Sequence, residues 1–181
     1  MHLYYIIGGV DFVETIIAIK TRRSIRKYKK KEISDEQLEE IVQCGMCAPS
    51  AGNEQPWHFI IIKNKKLLNK IPKIHEYAQM MNDATAGILV CYDPHLEKHN
   101  SMAIQDCSAA TQNLLLAIHD CGLGGCWIGV YPRKKRIKEL QDLFNLPKSI
   151  IPFSLVALGI PNEHKENINR FNKERLHYDT W

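Results

Sequence analysis

The chain has 181 residues, of which 45% are hydrophobic and 24% are charged, a composition typical of one globular domain with a sizeable core. No apolar run reaches the ~18 residues that cross a bilayer, and the apolar opening MHLYYIIGGV lacks the basic region and cleavage site of a signal peptide. These features exclude collagen-like, disordered, membrane-spanning and disulfide-scaffold proteins. They predict a cytoplasmic protein whose six cysteines are reduced thiols.

The formal net charge of +4 is concentrated in one segment. Residues 20–31 (KTRRSIRKYKKK) contain eight of the 24 Lys and Arg residues and no acidic residue, so the rest of the chain is net acidic. A dense basic segment on an acidic chain favours a compact anion site over a broad nucleic-acid surface. A solvated basic face is the alternative.

Two helices are predicted ahead of any strand. Asp11 followed by Glu14 resembles a helix start, and the apolar residues of 12–17 recur at helical spacing. Ser34 and Gln37 form the capping box of the second helix. That helix ends in a turn-rich loop at 48–56.

The remaining elements alternate between strand and helix patterns. In chain order they are a strand at 58–63, short helices at 67–71 and 74–81, a strand at 86–93, a helix at 103–121 ended by Gly122, a strand at 125–131, a helix at 133–144, a strand at 154–160 and a polar tail at 161–181. Alternation favours parallel strands, although two opening helices do not fit that arrangement. Periodicity leaves the topology open.

The segment Arg22-Arg23-Ser24-Ile25-Arg26 is a candidate phosphate site. Phosphate recognition needs charged groups and a hydroxyl converging from a short stretch, and Arg supplies bidentate donors. An exposed basic turn would have the same composition.

The loop Pro49-Ser50-Ala51-Gly52-Asn53-Glu54-Gln55-Pro56-Trp57 is a second candidate. It places a hydroxyl and two amides between two prolines, directly before a predicted core strand. Hydroxyl and amide groups can form hydrogen bonds with a heteroaromatic ring that carries both donors and acceptors. The same residues also build ordinary turns.

The glycine-rich segment 122–129 is not a dinucleotide fingerprint. It follows a helix rather than a strand, and Trp127 stands where the third glycine of that motif belongs. Glycines at this position instead allow backbone N–H groups to approach a flat ligand.

The sequence predicts neither a metal site nor a catalytic nucleophile. Cys44 and Cys47 have no second pair at ligand spacing, and the i,i+4 pair His95 and His99 lacks the intervening glutamate order of a zinc helix. A structural zinc is the less favoured alternative. No nucleophile elbow is present.

Five features follow one another along the chain: RRSIRKY, the capped helix, APSAGNEQPWHFIII, GLGGCWIG and the late Arg170. In this order they resemble the nitroreductase family of flavin enzymes. The resemblance implies an α+β fold in which a central, mostly antiparallel sheet is flanked by helices, in an intertwined homodimer with FMN at the interface. Residues 10–181 would form the single flavin-binding domain, preceded by an apolar N-terminal extension at 1–9.

The resemblance assigns cofactor contacts to three segments and the tail. The phosphate and ribityl chain of FMN would be held by Arg22, Arg23, Ser24, Arg26 and Arg170. The flavin ring would meet Pro49, Ser50, Ala51 and Asn53 of the partner subunit, supported by Gln55, and the backbone N–H groups of Ile128 and Gly129 near N5 and O4. Gln79 is a further candidate. Ala51 departs from the serine that many relatives carry at its position.

The activity implied by the resemblance is an FMN-dependent NAD(P)H oxidoreductase. Hydride would pass from NADH or NADPH through flavin N5 to an electron-poor small molecule, a nitroaromatic or quinone, in a ping-pong order. No catalytic residue is assigned, because the flavin carries the chemistry. One alternative keeps the same fold and flavin but carries out different chemistry, namely dehalogenation, desaturation or consumption of the flavin itself. A non-enzymatic nucleic-acid domain that uses residues 20–31 ranks lower.

Overall fold

The computed structural model describes the backbone of residues 5–7 and 10–12, and residues 15–181 in full. In chain order its elements are β1 (Tyr5–Ile7), β2 (Val10–Phe12), α1 (Thr15–Thr21), β3 (Tyr28–Lys29), α2 (Asp35–Met46), a 3-10 turn (Ala51–Asn53), β4 (Trp57–Ile62), α3 (Lys65–Leu68), α4 (Ile71–Ile74), a 3-10 segment (Glu76–Asn82), β5 (Ala86–Tyr92), α5 (Ala103–Asp120), β6 (Gly124–Gly129), α6 (Lys134–Phe144), β7 (Ile151–Pro161) and a 3-10 turn (Lys173–Arg175).

The start of the first helix differs from the sequence prediction. Asp11 and Phe12 pair antiparallel with Ile6 and Tyr5 in the β1–β2 hairpin, and α1 begins only at Thr15. The predicted helix start at Asp11 was therefore wrong, because cross-strand hydrogen bonds occupy backbone that the capping pattern assigned to a helix.

The central sheet is antiparallel. β7 pairs with β3, β5 and β6, and β5 pairs with β4, each in antiparallel register. The parallel arrangement that alternation favoured was wrong, since an apolar run shows that a strand is buried but not which way it runs. The antiparallel sheet flanked by helices is confirmed.

Both faces of the sheet are covered, which explains its nearly continuous apolar strands. Ile88 and Val90 of β5 pack with Leu114 of α5 on one face. Leu89 and Cys91 point to the other face, where they pack among residues from α3, α4 and α6. Among residues 15–181, no helix has the length and apolar character needed to span a membrane.

The predicted helix ends at Ser34 and Gly122 are confirmed. The Ser34 hydroxyl accepts the amide of Gln37 at 3.2 Å, and Gly122 adopts a φ of 69° while the next amide, of Leu123, donates to Ile118 O. The short helix predicted at 67–71 differs from the structure, in which α3 ends at Leu68 and α4 begins at Ile71. Pro72 lies in the first turn of α4, where a missing N–H costs nothing.

Candidate functional site

The arginine segment lies against the start of β6. Ser24 forms a parallel bridge with Gly125, and the Ile25 amide donates to Gly125 O at 3.0 Å. A Cβ on Gly124 would lie 2.7 Å from the Ile25 Cβ. The glycine-rich segment is therefore needed, at Gly124, to admit the backbone that carries the arginines.

The end of α1 is tied to the end of α5. The Thr21 hydroxyl donates to Ile17 O at 2.7 Å, so its oxygen accepts from His119 Nε2 at 2.9 Å. Burial, and then the charge of Arg22, lower the pKa of His119. A neutral histidine thus fixes the helix end from which the arginines emerge.

Three guanidinium groups converge beside a cleft of about 520 Å³. Arg22, Arg23 and Arg170 line it together with tail residues 167–171 and the end of α1. Burial lowers the pKa of Arg22, and repulsion from Arg170 and Arg23 lowers it further. This partly desolvated cluster of like charges is the environment that a dianionic phosphate would stabilise.

Arg26 lines a neighbouring cleft of about 850 Å³ that also includes Gln79, Trp127, Ile128 and Gly129. The amides of Arg26 and Lys27 both donate to Glu163 Oε1, at 2.5 and 3.2 Å. Ser24, bridged to Gly125, lies between Arg22 and Arg26 along the chain. The segment thus contributes to two clefts, one rich in guanidinium groups and one bordered by the end of β6.

The end of β6 is held by two side chains that the sequence analysis missed. The Tyr77 amide donates to His75 Nδ1 at 3.2 Å, so Nε2 carries the ring proton and donates to Gly129 O at 2.8 Å. Arg136 Nη1 also donates to Gly129 O, at 3.4 Å. No local sequence signal marks either residue, because the contacts join distant segments.

The loop at 48–57 is a tight, internally bonded structure. Gly52, Asn53 and Gln55 have left-handed φ angles of 52°, 55° and 47°, and the Gln55 amide donates to the Ser50 hydroxyl oxygen at 3.1 Å. Because the Ser50 oxygen accepts this bond, its hydroxyl proton stays available to donate to a ligand. Pro49, Asn53 and Gln55 are exposed to solvent.

Two buried carboxyl groups anchor this loop, and the sequence analysis missed them as well. Asp106 Oδ1 accepts the Ala51 amide at 3.1 Å. Glu54 Oε2 accepts the amides of Lys98 and His99 at 2.7 and 2.9 Å. The loop lines neither of the two clefts that the arginines border.

The six thiols are free. Cys91 and Cys107 are buried in the core, where burial raises the pKa of Cys91 to about 12 and leaves the thiol inert. In the part of the chain that the structure describes, no three His, Cys, Asp or Glu side chains are grouped to hold a metal ion.

The chain matches the model of the nitroreductase family over residues 19–75 and 73–160. The chain belongs to the nitroreductase family. A Methanothermobacter thermautotrophicus protein named "Putative NADH dehydrogenase/NAD(P)H nitroreductase" is 45% identical over 177 residues, which cover 98% of this chain and 93% of that relative.

Solved nitroreductase-family structures share the fold. The crystal structure of a "Putative NADH dehydrogenase/NAD(P)H nitroreductase" from Parabacteroides distasonis superposes with a TM-score of 0.88 at 35% identity, covering 92% of this chain and 98% of that one. An "FMN-dependent Nitroreductase" from Clostridium difficile gives a TM-score of 0.85 at 27% identity, covering 92% and 99%. The family resemblance and the α+β fold inferred from the sequence are confirmed.

Proposed function

We propose that this chain is an FMN-dependent oxidoreductase that uses NADH or NADPH to reduce an electron-poor small molecule. The observation that carries the proposal is the convergence of Arg22, Arg23 and Arg170, whose mutual repulsion and burial disfavour the Arg22 charge. A phosphate dianion offsets both effects. The Clostridium difficile relative, named for its FMN dependence, supports the same cofactor.

The residues present fit FMN in two parts. The guanidinium groups and the Ser24 hydroxyl supply the charged and neutral donors that a phosphate and ribityl chain need. Arg26 and the edge of β6 at Ile128 and Gly129 border the larger cleft, where the backbone of β6 would face the flavin ring. When bound, FMN supplies the hydride chemistry, taking hydride from a nicotinamide and passing it to an acceptor.

The chain contributes binding and orientation in this proposal. His75 and Arg136 fix the Gly129 carbonyl and with it the backbone that faces the ring. Gln79 lines the same cleft as a further polar contact. One cleft would serve nicotinamide and acceptor in turn, which gives a ping-pong order, with nitroaromatics and quinones as the proposed acceptors.

The proposed site is shared between two copies of the chain. Ser50 and Asn53 line neither of the two clefts that the arginines border, so the loop with Pro49, Ala51 and Gln55 would meet the ring bound by the other copy. Ile16, Ile19 and Phe171 are 57%, 56% and 72% exposed, and Ile19 and Phe171 line the cleft that the arginines border. A homodimer would cover them.

The test of the activity is a visible absorbance spectrum of the desalted protein followed by anaerobic addition of NADH or NADPH. We expect flavin bands that bleach on addition of the nucleotide. Bands that persist would favour the alternative in which the flavin-bound protein carries out different chemistry, namely dehalogenation, desaturation or consumption of the flavin itself. A colourless protein that takes up no added FMN would contradict the proposal.

The test of the shared site is a mixing experiment. The Arg22→Ala/Arg26→Ala and Ser50→Ala/Asn53→Gly variants, each of which we expect to be inactive in isolation, are mixed and allowed to exchange subunits. Random exchange places one intact site in each heterodimer, so about a quarter of the wild-type sites should return. No recovery from a mixture shown to exchange would contradict the shared site.

A further inference from the structure

Glu54 and Asp106 are buried polar residues, 6% and 5% exposed, with no direct part in the proposed chemistry. Each has one oxygen bonded to backbone: Asp106 Oδ1 to the Ala51 amide, and Glu54 Oε2 to the amides of Lys98 and His99. The two carboxyl groups thus connect three segments, namely the loop at 48–57, the first turn of α5 and residues 97–99.

The other two oxygens, Glu54 Oε1 and Asp106 Oδ2, are buried and have no donor. The two residues meet at Ala51, whose amide donates to Asp106 Oδ1 at 3.1 Å and whose carbonyl accepts the backbone amide of Glu54 at 3.0 Å. A hydrogen bond between the two carboxyl groups contributes to the pKa shift of each. Two carboxylates cannot bond to each other, because both are acceptors. A single proton between the two oxygens satisfies both, which buried polar atoms require.

We propose that Glu54 and Asp106 share one proton and, as positioning residues, hold the loop that carries Ser50 and Asn53 in its ring-contacting shape. The inference rests on the proposed function for the role of that loop. The proton bridge itself rests only on the contacts of Glu54 and Asp106.

The surrounding groups place the proton on Asp106. Burial raises the pKa of Asp106, the Ala51 amide lowers it, and Glu54 and Glu97 raise it. Burial opposes ionisation of Glu54, but the two backbone amides, the Asp106 hydrogen bond and His99 together lower its pKa. The Cys107 thiol adjoins Asp106 and, with its own pKa raised by burial, stays neutral.

The proton matters because the loop is strained. Gly52, Asn53 and Gln55 are left-handed, and a conformation of that kind persists only when its surroundings fix it. Loss of the shared proton would place two carboxylates side by side and weaken the contacts through Ala51 and His99.

The dependence on pH has a definite sign. The folded chain keeps the Asp106 proton above 3.8, where the unfolded chain releases it. The contribution of the Asp106 proton to stability is therefore largest below 3.8 and is lost as pH rises through the raised pKa of Asp106. Glu54, whose pKa is lowered from 4.5, contributes stability above 4.5 that is lost on acidification below it.

The experiment compares wild type with Asp106→Asn and Glu54→Gln, which keep the hydrogen bonds but remove the shared proton. The amide nitrogen that Asp106→Asn introduces donates to Glu54, and the one that Glu54→Gln introduces donates to Asp106. Asp142→Asn, at an exposed carboxylate of α6, is the matched control. Thermal midpoints are measured for each ligand-free protein from about pH 4 to about pH 8.

We expect the midpoint of Asp106→Asn, relative to wild type, to rise as pH rises and then to level off. Asp142→Asn should show no such trend. We also expect the FMN dissociation constant of wild type, divided by that of Asp106→Asn, to increase by at least about threefold over the same pH range. A threefold change corresponds to a coupling of half a pKa unit.

Parallel midpoint profiles for wild type, Asp106→Asn and Glu54→Gln would overturn the shared proton. If Asp106→Asn does not fold, Glu54→Gln decides alone, since its profile must differ from wild type. Absence of FMN binding at every pH would contradict the proposed function, while the ligand-free midpoints still test the proton bridge. A midpoint trend without any trend in FMN affinity would overturn the positioning role.

Discussion

The arginine segment and the loop at 48–57 represent two different ways of building a binding surface. Around Arg22 the neighbouring charges, Arg170 and Arg23, repel it. In the loop, the Ser50 hydroxyl, the Ala51 amide and the Glu54 carboxylate each have a hydrogen-bond partner within the protein. The first region is electrostatically incomplete, whereas the second is largely satisfied before any ligand arrives.

This difference separates affinity from stability. Removing charge from the arginine segment should weaken ligand binding without unfolding the protein, because it also removes repulsion. Disturbing the loop should reduce stability even without ligand, because its contacts join three segments.

The largest effect is expected from Arg22→Ala combined with Arg26→Ala. Two charge-assisted contacts to FMN are lost, so affinity should fall by about 100-fold or more, and the flavin should be released on dialysis. The thermal midpoint without FMN should stay the same or rise. Flavin retained in full after dialysis would contradict the role of the segment.

The matched control is Lys30→Ala combined with Lys31→Ala. These exposed lysines belong to the same basic run, and their removal changes the net charge by the same amount. FMN affinity should change by less than about threefold, as expected for exposed charges. An equal loss in both double variants would show that only the overall charge matters.

Two glycines sharpen the contrast. Gly52 has a φ of 52°, and a Cβ there would overlap the His99 ring, so Gly52→Ala should lower the free energy of unfolding by about 1–3 kcal/mol. Gly129→Ala meets no atom within 4 Å and should leave stability nearly unchanged while weakening FMN binding at the cleft. Urea denaturation and FMN titration measure both quantities, and the reverse pattern would contradict the separation.

His119 provides a smaller, pH-dependent effect. Its pKa is lowered from 6.5 by burial and Arg22, so the unfolded chain binds a proton that the folded chain resists. Stability is full above 6.5 and falls as pH drops below it. Arg22→Met should reduce this loss, by less than the ~1.4 kcal/mol of one pKa unit. The measurement is the thermal midpoint of wild type and of Arg22→Met at about pH 5 and pH 8. An equal loss of stability on acidification in the two proteins would show that Arg22 does not act on His119.

The smallest effect is expected at the thiols beside the loop. Cys44 and Cys47, at the end of α2, are free, and burial raises the pKa of Cys44. Cys44→Ser combined with Cys47→Ser should leave flavin reduction within about twofold of wild type, since neither region uses a thiolate. Loss of reduction in a folded double variant would assign these thiols a function.

Local features of the fold were predictable from the sequence, and long-range ones were not. The caps at Ser34 and Gly122 depend on neighbouring residues and were predicted correctly. Strand direction and the β1–β2 hairpin depend on which distant backbones meet, and apolar periodicity does not contain that information. The antiparallel sheet followed instead from the ordered motifs that resemble the family.

The candidate site shows the same division. Arg22, Arg23 and Arg170 line one cleft, and Arg26, Ile128 and Gly129 line another. The supports of these residues come from elsewhere in the chain and were missed. His75 holds Gly129, and Asp106 holds Ala51. A lone buried histidine or aspartate has no pattern in sequence that distinguishes support from ordinary packing.

The phosphate-binding role of the arginine segment is tested by comparing the affinities of FMN and riboflavin for the wild-type protein. The two ligands differ only by the phosphate, so the difference measures what the arginine segment contributes. We expect FMN to bind at least about 100-fold more tightly than riboflavin, with the difference shrinking as salt rises. Equal affinities would contradict the account, because the converging guanidinium groups would then have no phosphate to bind.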